Sequence, residues 1–528
     1  MPKRSFSCSM QSNDEGQFLI NNLKDSKDSG KQTGPRKGAQ EGSWTPTLCL
    51  SAFSAVIGAA LPMGYNNGVL NTPEDIIKNF FNQSHLREHD TPFKPDNLNF
   101  MWNLTVASYC LGAPLGCLFG SWIAERIGRK SSLLYLNILL VVGGLYQVVC
   151  SEAGFNRYQL FIAGRVINGF KDGAACVVCP MYLSEIAPNK IRGGIGLMFQ
   201  LAVVFGTLLA SLLGCEICLG TENRWPFLFD VLLGFGCLQC ILLSLCPESP
   251  RFILIKQGNA VLCESELRRL RGDGCDLAAE MHEIIDEDKK LKSEPTRTLK
   301  DFFLIRSLRK PLILACFMSL SQQLSGINSM ATFSGSIFKA ALSSQVQKKS
   351  DLKNYMVVAM WGVSFLFTLV AVPLVDRAGR KVSHLTGLIG MTACSLVVSF
   401  LLSDLRTSDD QNCPGINLDK YPWTNYLSVT LLFIYLIFFA IGPSCVPWML
   451  TPELFTVGTV STAASIAGIV NWLANFSVQF GFGTLLDYLC GWVFLIFVGF
   501  MSFFIVYLKI HLPETKGMAI TEIVALFE

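Results

Sequence analysis

Amide and tryptophan side chains interrupt several long apolar segments of this sequence, where few other polar groups occur. These residues are Gln200, Gln322, Gln323, Asn328, Asn471, Trp448 and Trp472. Burying an amide in an apolar medium without a hydrogen-bond partner is unfavourable, because its N–H and C=O groups lose their bonds to water. Each amide therefore either joins two neighbouring helices or contributes to a binding site for a polar ligand.

Three charged residues lie within a single apolar segment. They are Arg165, Lys171 and Asp172. Charges inside a membrane are rare and mark functional or paired groups. Arg165 and Asp172 are about two helical turns apart, or roughly 10 Å, on nearly the same face of a helix. We predict that Asp172 pairs with a buried Lys or Arg, and a proton-linked role is the alternative.

The composition predicts the elements that carry these residues. The chain has 528 residues, of which 51% are hydrophobic and only 16% are charged, and its mean hydropathy is +0.40. A soluble globular protein has about 25% charged residues, and the apolar segments here reach the roughly 20 residues that a helix needs to cross a bilayer. The segments lie at residues 47–70, 101–122, 131–151, 158–180, 195–216, 225–246, 311–338, 353–375, 382–403, 426–450, 460–484 and 490–511. The sequence therefore predicts an all-α membrane protein with twelve transmembrane helices.

The segments form two groups of six, separated by a charged stretch. We divide the chain into a disordered N-terminal tail (1–46), a first six-helix bundle (47–246), a linker with short helices (247–310), a second bundle (311–511) and a C-terminal tail (512–528). Basic loops stay on the cytoplasmic side, and the linker is rich in Lys and Arg. Both tails and the linker are therefore predicted to be cytoplasmic, and the loop 71–100 is predicted to face outside.

Cytoplasmic helix ends repeat a pattern of acid, turn and base. It comprises Glu125, Arg126 and Arg129 after the second segment, Glu248 and Arg251 after the sixth, and Arg377 and Arg380 after the eighth. The same pattern in each half indicates a duplicated six-helix unit. Ion pairs among these residues would latch the cytoplasmic side shut, whereas the alternative is that the basic residues only set the topology.

Several ordered segments together resemble the facilitative glucose (hexose) transporter family of the major facilitator superfamily. They are Gly64-Tyr-Asn66-Asn-Gly68, Gly164-Arg165, Pro180-Met-Tyr182-Leu-Ser-Glu185, Pro247-Glu-Ser-Pro-Arg251, Gln322-Gln323-Leu-Ser-Gly326-Ile-Asn328, Asp376-Arg377-Ala-Gly379-Arg380-Lys381, Asn471-Trp472 and Pro513-Glu-Thr515-Lys. The resemblance covers residues 48–527. It implies the major facilitator fold and the transport of a hexose by alternating access between the two halves.

The resemblance also assigns roles to individual residues. It implies that the five amides bind sugar hydroxyls and that the two tryptophans form an aromatic wall. The seventh segment is itself interrupted at Ser325-Gly326, and broken helices commonly line transporter sites. The resemblance adds Glu185 and its partner Arg192 to the first latch, and Glu453 to the second. Because Glu453 faces Val460 where the first half has an arginine, we predict that the second latch lacks a partner.

Differences from the family pattern bear on the choice of sugar. Ala440 replaces a glutamate that glucose carriers usually have in the tenth segment, and Ser364 replaces a binding-site asparagine. Ser319-Leu320-Ser321 stands where glucose-selective members have Gln-Leu-Ser, and Thr332 and Phe333 replace paired aromatics. Glucose is the first expectation, and a fructose-preferring or broad hexose carrier is the alternative.

The driving force for transport is predicted from the first segment. Proton-coupled sugar porters of this fold have an aspartate where this chain has Asn66, and an amide cannot take up and release a proton as a carboxylate does. We therefore predict passive uniport rather than proton-coupled symport. A non-transporting sugar receptor is a third possibility, although the tail after the twelfth segment is short.

The remaining features concern partners and location. The 19 cysteines lie mostly in apolar segments and are predicted to pack as small hydrophobic residues, and this includes the pairs Cys176/Cys179, Cys215/Cys218 and Cys237/Cys240. No metal, cofactor, nucleic acid or enzyme activity is predicted, and the expected partners are a hexose and the lipid bilayer. The sequon Asn82-Gln83-Ser84 in the outer loop is a glycosylation candidate and favours the plasma membrane.

Overall fold

A computed structural model of the chain describes residues 44–152, 157–188, 191–272, 277–293, 299–330, 334, 350–402, 423–455, 457–516, 518 and 520–527. Within these residues the regular secondary structure is helical throughout, with one short 3-10 turn at Cys490–Trp492. The N-terminal tail 1–43 and the positions Thr332 and Phe333 lie outside the described residues.

Six long helices and one shorter helix form the first half. They are α1 (Pro46–Gly68), α2 (Glu74–His89), α3 (Pro95–Ile127), α4 (Arg129–Glu152), α5 (Tyr158–Ile186), α6 (Arg192–Leu213) and α7 (Phe227–Ser244). The start of α1 is capped, because the Thr45 hydroxyl accepts a hydrogen bond from the Leu48 amide at 3.2 Å and Pro46 occupies the first helical position. The helix α2 lies in the stretch 71–100, so this predicted loop is partly helical.

The linker and the second half follow in chain order. The linker contains α8 (Pro250–Ile255), α9 (Ala260–Arg271), α10 (Leu277–Ser293) and α11 (Asp301–Leu304). The second half contains α12 (Arg306–Gln323), α13 (Ser350–Ala378), α14 (Arg380–Leu401), α15 (Trp423–Ile441), α16 (Val446–Glu453), α17 (Val457–Leu489) and α18 (Val493–His511), and it is followed by α19 (Ile520–Ala525). Within the described residues each predicted apolar segment overlaps a helix. The seventh segment (311–338) overlaps α12 and then extends beyond residue 330 into positions outside the described residues, and the tenth (426–450) covers most of α15 and of α16.

The helices differ in whether they are long and apolar enough to span a membrane. Nine helices of the described chain are long and apolar enough to cross a membrane. The predicted segments outside this set lie in α5, α12 and α17, which are the helices that carry the charged residues and most of the amides. The chain is therefore an integral, multi-pass membrane protein, and the predicted segments that fall outside the nine include those that hold most of the amides.

Two of the predicted segments are interrupted by turns. The helix α12 ends at Gln323, and the chain becomes helical again at Ile327 after a turn in which Gly326 has φ = +88°. A Cβ atom at Gly326 would lie 2.6 Å from the Phe497 ring, so both the backbone conformation and the available space require glycine. The second interruption separates α15 from α16 at Pro443, which cannot donate a backbone hydrogen bond. The sequence predicts the first break but not the second.

Each half has its own main hydrophobic cluster, and the halves meet mainly along two helix pairs. In the first half α3 and α4 pack on α5, and α1 packs on α6; in the second half α14 packs on α15 and α18, and α12 packs on α17. Between the halves, α3 packs on α17 and α6 packs on α13. Small residues permit close approach, since a Cβ atom at Gly116 on α3 would lie 1.9 Å from the Phe170 carbonyl oxygen on α5.

The linker helices form a small core attached to the first half. Its buried residues are Ile253, Leu254, Ala260, Cys263, Leu267, Met281, Ile284 and Ile285. Arg271 donates a hydrogen bond to the Ile186 carbonyl at 2.8 Å, and the Thr45 hydroxyl donates to the Leu270 carbonyl at 2.6 Å. These contacts fasten the end of α9 to the start of α1 and the end of α5.

Candidate functional site

The candidate site is centred on Gln322, where the break after α12 meets α17. The Gln322 Nε2 group donates hydrogen bonds to the Pro443 and Ser444 carbonyls at 2.8 and 3.0 Å. The Gln322 Oε1 atom accepts a hydrogen bond from Asn471 Nδ2 at 2.9 Å. The end of α12 is thereby joined to the α15–α16 break on one side and to α17 on the other.

Two more amides continue this chain of hydrogen bonds. Gln323 Nε2 donates to Asn471 Oδ1 at 3.0 Å, and Asn328 Nδ2 donates to Gln323 Oε1 at 2.5 Å. Gln322, Gln323 and Asn471 are buried, whereas Asn328 is partly exposed. We refer to these four residues as the amide cluster. It forms one connected polar surface inside an apolar bundle, to which a neutral ligand with several hydroxyl groups could bind by exchanging hydrogen bonds.

The two tryptophans of the predicted site both contact the first half. Trp472 on α17 is 2% exposed, and its ring lies 5.6 Å from the ring of Tyr109 on α3 in an edge-to-face arrangement. Its Nε1–H group is buried and has no hydrogen-bond partner among the described residues. Trp448 on α16 has its ring 6.5 Å from the ring of Phe199 on α6. Aromatic surfaces at the boundary between the halves therefore come from both bundles.

Gln200 lies on the first-half side of this boundary. It follows Phe199 on α6, the helix that packs on α13 of the second half, and it is buried. Among the described contacts, no hydrogen bond joins Gln200 to the amide cluster. The structure thus brings four of the five predicted amides together and places the fifth on the helix that contacts Trp448.

Asp172 on α5 is the centre of a buried charged cluster. Its Oδ1 atom accepts a hydrogen bond from Lys171 Nζ at 2.9 Å, and its Oδ2 atom accepts from Asn66 Nδ2 and from the Tyr109 hydroxyl, each at 2.9 Å. Lys171 Nζ also donates to the Gly58 carbonyl at 2.7 Å. The Lys171 and Asp172 side chains are 1% and 0% exposed. The carboxylate is therefore surrounded by donors, as a charge buried in a low-dielectric interior requires.

The base that pairs with Asp172 is the adjacent residue, Lys171, and not Arg165. Arg165 Nη1 donates to the Asn66 carbonyl at 2.8 Å, and the guanidinium lies 4.7 Å from the centroid of the Tyr109 ring. Arg165 thus contacts both neutral residues that donate to Asp172, and it supports the cluster without pairing with the carboxylate directly.

Glu248 occupies the N-terminus of α4 in the first half. Its carboxylate accepts hydrogen bonds from the Arg129 and Lys130 amides at 3.0 and 2.8 Å, which are donors that a helix start leaves without intrahelical partners. The Arg129 side chain pairs with Glu185 at 2.9 Å, and the Ser249 hydroxyl donates to the same Glu185 carboxylate. This first helix-end cluster joins α4, the end of α5 and the start of the linker.

The second half contains an equivalent cluster built around Glu514. The Glu514 carboxylate accepts hydrogen bonds from the Arg380 and Lys381 amides at 2.9 and 3.2 Å. The Arg380 guanidinium pairs with Glu453 at 3.3 Å, and the Thr515 hydroxyl donates to Glu453 at 2.7 Å. This second helix-end cluster joins the start of α14, the end of α16 and the C-terminal tail.

The prediction that Glu453 lacks a partner is therefore wrong. It compared Glu453 with Val460 on the following helix, whereas the ion pair comes from Arg380, which is remote in sequence and adjacent in space. Arg129 and Glu185 have the same relation in the first half. Both clusters join helix ends within one half, so each half is fastened as a separate unit.

Glu125 and Arg126 of the predicted latch lie at the exposed end of α3. Glu125 is exposed and its carboxylate lies 3.7 Å from Lys256 Nζ. The Arg126 guanidinium lies 4.5 Å from the centroid of the Trp122 ring. Neither residue belongs to a helix-end cluster.

The other predicted latch residues are also outside the two clusters. Arg251 pairs with Glu287 at 2.8 Å within the linker. Arg377 is exposed, and its backbone carbonyl accepts a hydrogen bond from Lys516 Nζ at 2.6 Å. The Arg192 side chain lies outside the part of the chain that the structure describes.

The glycosylation sequon is part of α2. The Asn82 Oδ1 atom accepts a hydrogen bond from the Phe93 amide at 2.9 Å, and the buried Ser84 hydroxyl accepts from the Tyr158 amide at 3.2 Å. Modification of Asn82 would therefore have to precede the docking of Ser84 against the start of α5, and it stays a prediction.

The cysteines of the described chain are free thiols apart from Cys490, which is disulfide-bonded. The members of the three CxxC pairs are among the free thiols. In the linker, burial raises the pKa of the Cys263 thiol to about 12, so this cysteine is unreactive near neutral pH. Within the described residues, no group of three or more His, Cys, Asp or Glu side chains could hold a metal ion.

Tyr109 is a site residue that sequence reasoning missed, whereas Glu514 belongs to the repeated sequence pattern but was not assigned to the latch. Tyr109 is one aromatic residue in an apolar segment, and its bond to Asp172 depends on how α3 packs on α5, which the sequence does not show. Glu514 did have a signal, since Pro513-Glu-Thr515 after the twelfth segment repeats Pro247-Glu-Ser249 after the sixth.

Comparison with known proteins identifies the family. Residues 51–527 match the family model described as "Sugar (and other) transporter". The solute carrier family 2, facilitated glucose transporter member 1 of Gallus gallus is 34% identical over 91% of this chain and 93% of its own length. Member 4 of the same family from Homo sapiens is 36% identical over 92% of this chain and 91% of its own length.

Solved structures share the fold at lower identity. The proton:xylose symporter XylE bound to 6-bromo-6-deoxy-D-glucose, a major facilitator superfamily protein, matches with a TM-score of 0.74 and 22% identity over 91% of this chain and 99% of that chain. The inward open conformation of XylE from E. coli matches with a TM-score of 0.68. The chain therefore has the major facilitator fold and belongs to the sugar transporter family.

Proposed function

We propose that this chain is a facilitative hexose carrier, a uniporter that moves one sugar per cycle by alternating access. The observation that carries the proposal is the amide cluster, whose members hydrogen-bond to one another at a break in a membrane helix. A hexose is uncharged and has about five hydroxyl groups, each a donor and an acceptor, and primary amides offer both functions. Broken helices commonly line transporter sites.

D-Glucose is the first candidate substrate. The relatives from Gallus gallus and Homo sapiens are named facilitated glucose transporters. Three buried residues, Ser319, Ser364 and Ala440, differ from the pattern expected of glucose-selective carriers. A fructose-preferring or broad hexose carrier is therefore the second candidate.

Alternating access would use the surfaces along which the halves meet. At one such contact, between α3 and α17, the Ser121 and Ser461 hydroxyls lie 2.5 Å apart. The two helix-end clusters fasten each half internally, which favours rocking of one half against the other around the site.

Uniport is favoured over proton-coupled symport by the surroundings of the buried carboxylate. A symporter needs a group that binds and releases a proton in each cycle, and Asn66 cannot do so. Asp172 accepts hydrogen bonds from three donors, one of which is its ion-pair partner Lys171, and this is the arrangement of a structural ion pair. Proton-coupled hexose symport is the alternative, because the similar XylE structure is of a proton:xylose symporter.

We further propose that the carrier resides in the plasma membrane, with both tails and the linker in the cytoplasm. The linker helices carry basic residues in their last turns, and basic loops stay inside. The domain limits proposed from the sequence, with bundles at 47–246 and 311–511, agree with this arrangement. The carrier would act without a cofactor and without catalysing a chemical reaction.

Uptake by the purified full-length chain in liposomes tests the proposal. Radiolabelled D-glucose, D-galactose and D-fructose are supplied separately, with and without an imposed proton gradient. We expect at least one hexose to enter until its concentrations inside and outside are equal and to show counterflow, with no response to the proton gradient. Proton-driven accumulation would instead indicate a symporter, and sugar binding without counterflow would indicate a receptor. Uptake of none of the three sugars would contradict the substrate class.

A further inference from the structure

One tyrosine links the charged cluster of the first half to the candidate sugar site of the second. The Tyr109 hydroxyl donates to Asp172 Oδ2 at 2.9 Å, and the Tyr109 ring meets the Trp472 indole edge-to-face at 5.6 Å. Tyr109 and Asp172 belong to the first half, whereas Trp472 belongs to the second. This contact therefore crosses the boundary along which the halves meet.

The Trp472 indole, one residue along α17 from Asn471 of the amide cluster, has an unused donor. Its Nε1–H group is buried and has no hydrogen-bond partner among the described residues. A buried donor without a partner is unfavourable. Trp472 directly follows Asn471, whose side chain donates to Gln322. A hydroxyl group of a bound hexose is an acceptor of suitable chemistry for this indole N–H group.

Tyr109 has two further contacts that hold it in place besides the one with Trp472. The residue is fully buried, and the Arg165 guanidinium lies 4.7 Å from the centroid of its ring. Asp172, which accepts the hydrogen bond from the Tyr109 hydroxyl, is itself held by Lys171 and Asn66. An aromatic ring fixed in this way presents a defined surface to the indole, and edge-to-face contacts depend on such a defined geometry.

We propose that Lys171 and Asp172 are positioning residues for the sugar site. They fix Tyr109, and Tyr109 fixes the Trp472 indole so that its Nε1–H group donates to a sugar hydroxyl. The inference rests on the proposed function and deepens it. The buried ion pair then serves sugar affinity rather than proton transport, and Tyr109 is a contribution of the first half to a site whose amide cluster lies in the second.

Three variants separate this role from a merely structural one. Tyr109→Phe keeps the ring and removes its bond to Asp172. Removal of Asp172 alone would leave Lys171 buried without a counter-ion and could prevent folding, so the pair is replaced together in Lys171→Met/Asp172→Leu. The triple variant combines both changes. Tyr182→Phe is the matched control, because it removes another buried tyrosine hydroxyl, which donates to the Pro247 carbonyl at 2.7 Å.

The measurement is initial uptake of the hexose that the wild-type chain transports fastest, in liposomes with equal amounts of folded carrier. We expect KM to rise about three- to tenfold in Tyr109→Phe, a factor that corresponds to one aromatic or hydrogen-bonding contact, with Vmax within about twofold of wild type. The double and triple variants should show the same rise in KM and no more, because all three variants lose the same contact, the bond from the Tyr109 hydroxyl to Asp172. Tyr182→Phe should keep the wild-type KM.

Several outcomes would overturn the inference. An unchanged KM in Tyr109→Phe or in the double variant would show that the cluster does not position the site. Multiplied effects in the triple variant would show that the tyrosine and the ion pair act separately. A proton-gradient response that the wild-type chain and Tyr109→Phe show, and that the double variant loses, would assign the pair to proton coupling. If the wild-type chain transports no hexose, the proposed function itself fails, and this inference falls with it.

Discussion

At the scale of single residues, Asn471 is the hub of the amide cluster. Its Nδ2 group donates to Gln322 and its Oδ1 atom accepts from Gln323, so one side chain satisfies two glutamines on the neighbouring helix. Removing that side chain would leave the two glutamine groups with only the long bond, 3.4 Å, from Gln323 Nε2 to Gln322 Oε1, and poorly satisfied buried groups are more damaging than absent ones.

Asn471→Ala is therefore expected to raise the KM for the transported hexose by about tenfold, because the variant loses the hydrogen bonds of Asn471 to Gln322 and Gln323. The matched control is Asn475→Ala, one turn further along α17, whose side chain accepts from Gln479 at 2.7 Å and not from the amide cluster. Uptake kinetics in liposomes check both variants. Equal KM values for the two alanine variants would contradict the assignment of the site to Asn471.

At the scale of elements, the two helix-end clusters use the same parts in the same order. In each cluster a glutamate caps the first turn of a helix, α4 in the first half and α14 in the second. An arginine of that first turn pairs with a second glutamate, and a hydroxyl residue donates to the second glutamate. Gly128 and Gly379 precede these first turns with φ of +100° and +95°, and a Cβ atom at either would meet the capping glutamate. Each turn therefore requires glycine, and each half fastens its own helix ends.

We expect Glu185→Gln and Glu453→Gln to lower Vmax by similar factors, about three- to tenfold, because each breaks a partly buried ion pair within a network. Glu125→Gln serves as the control, since its contact with Lys256 is exposed and such pairs contribute little. Initial uptake rates at saturating sugar measure the effect. Wild-type Vmax in Glu453→Gln alongside a loss in Glu185→Gln would show that the second cluster does not matter for transport.

The helices themselves were predictable, and the contacts between them were less so. Hydropathy reports whether a segment can lie in lipid, so it predicts the helices. The polar residues that interrupt the apolar segments then stand out as the amides and charges of the candidate site. Hydropathy does not report which faces meet, and for that reason the bond from Tyr109 to Asp172 was not foreseen. The wrong prediction at Glu453 has the same origin. The spacing along the chain points to Val460 as the partner position, whereas the actual partner, Arg380, comes from a different helix.

At the scale of the whole molecule, the halves contact each other at both α3–α17 and α6–α13. The Ser121 and Ser461 hydroxyls, 2.5 Å apart, join the first of these pairs. A carrier that works by rocking must separate some contacts of this kind during each cycle.

Ser121→Cys/Ser461→Cys is expected to lose most uptake after mild oxidation and to regain it with a reductant, because a disulfide would hold α3 against α17. The two single cysteine variants, oxidised in the same way, control for the native thiols. Peptide mapping confirms the cross-link. A fully cross-linked carrier that transports at the wild-type rate would contradict separation of the halves at this position.

The uneven polarity of the helices has a consequence for biosynthesis. With three charges, α5 is a poor substrate for the translocon, since each central charge opposes insertion by about 2.5–3.5 kcal/mol. Its buried partners Asn66, Gly58 and Tyr109 are all on helices that leave the ribosome earlier. Insertion of α5 into the bilayer thus depends on α1 and α3 remaining next to the translocon until α5 emerges. Changes at these partners should therefore first appear as misinserted chains sent to degradation, before any carrier reaches its destination.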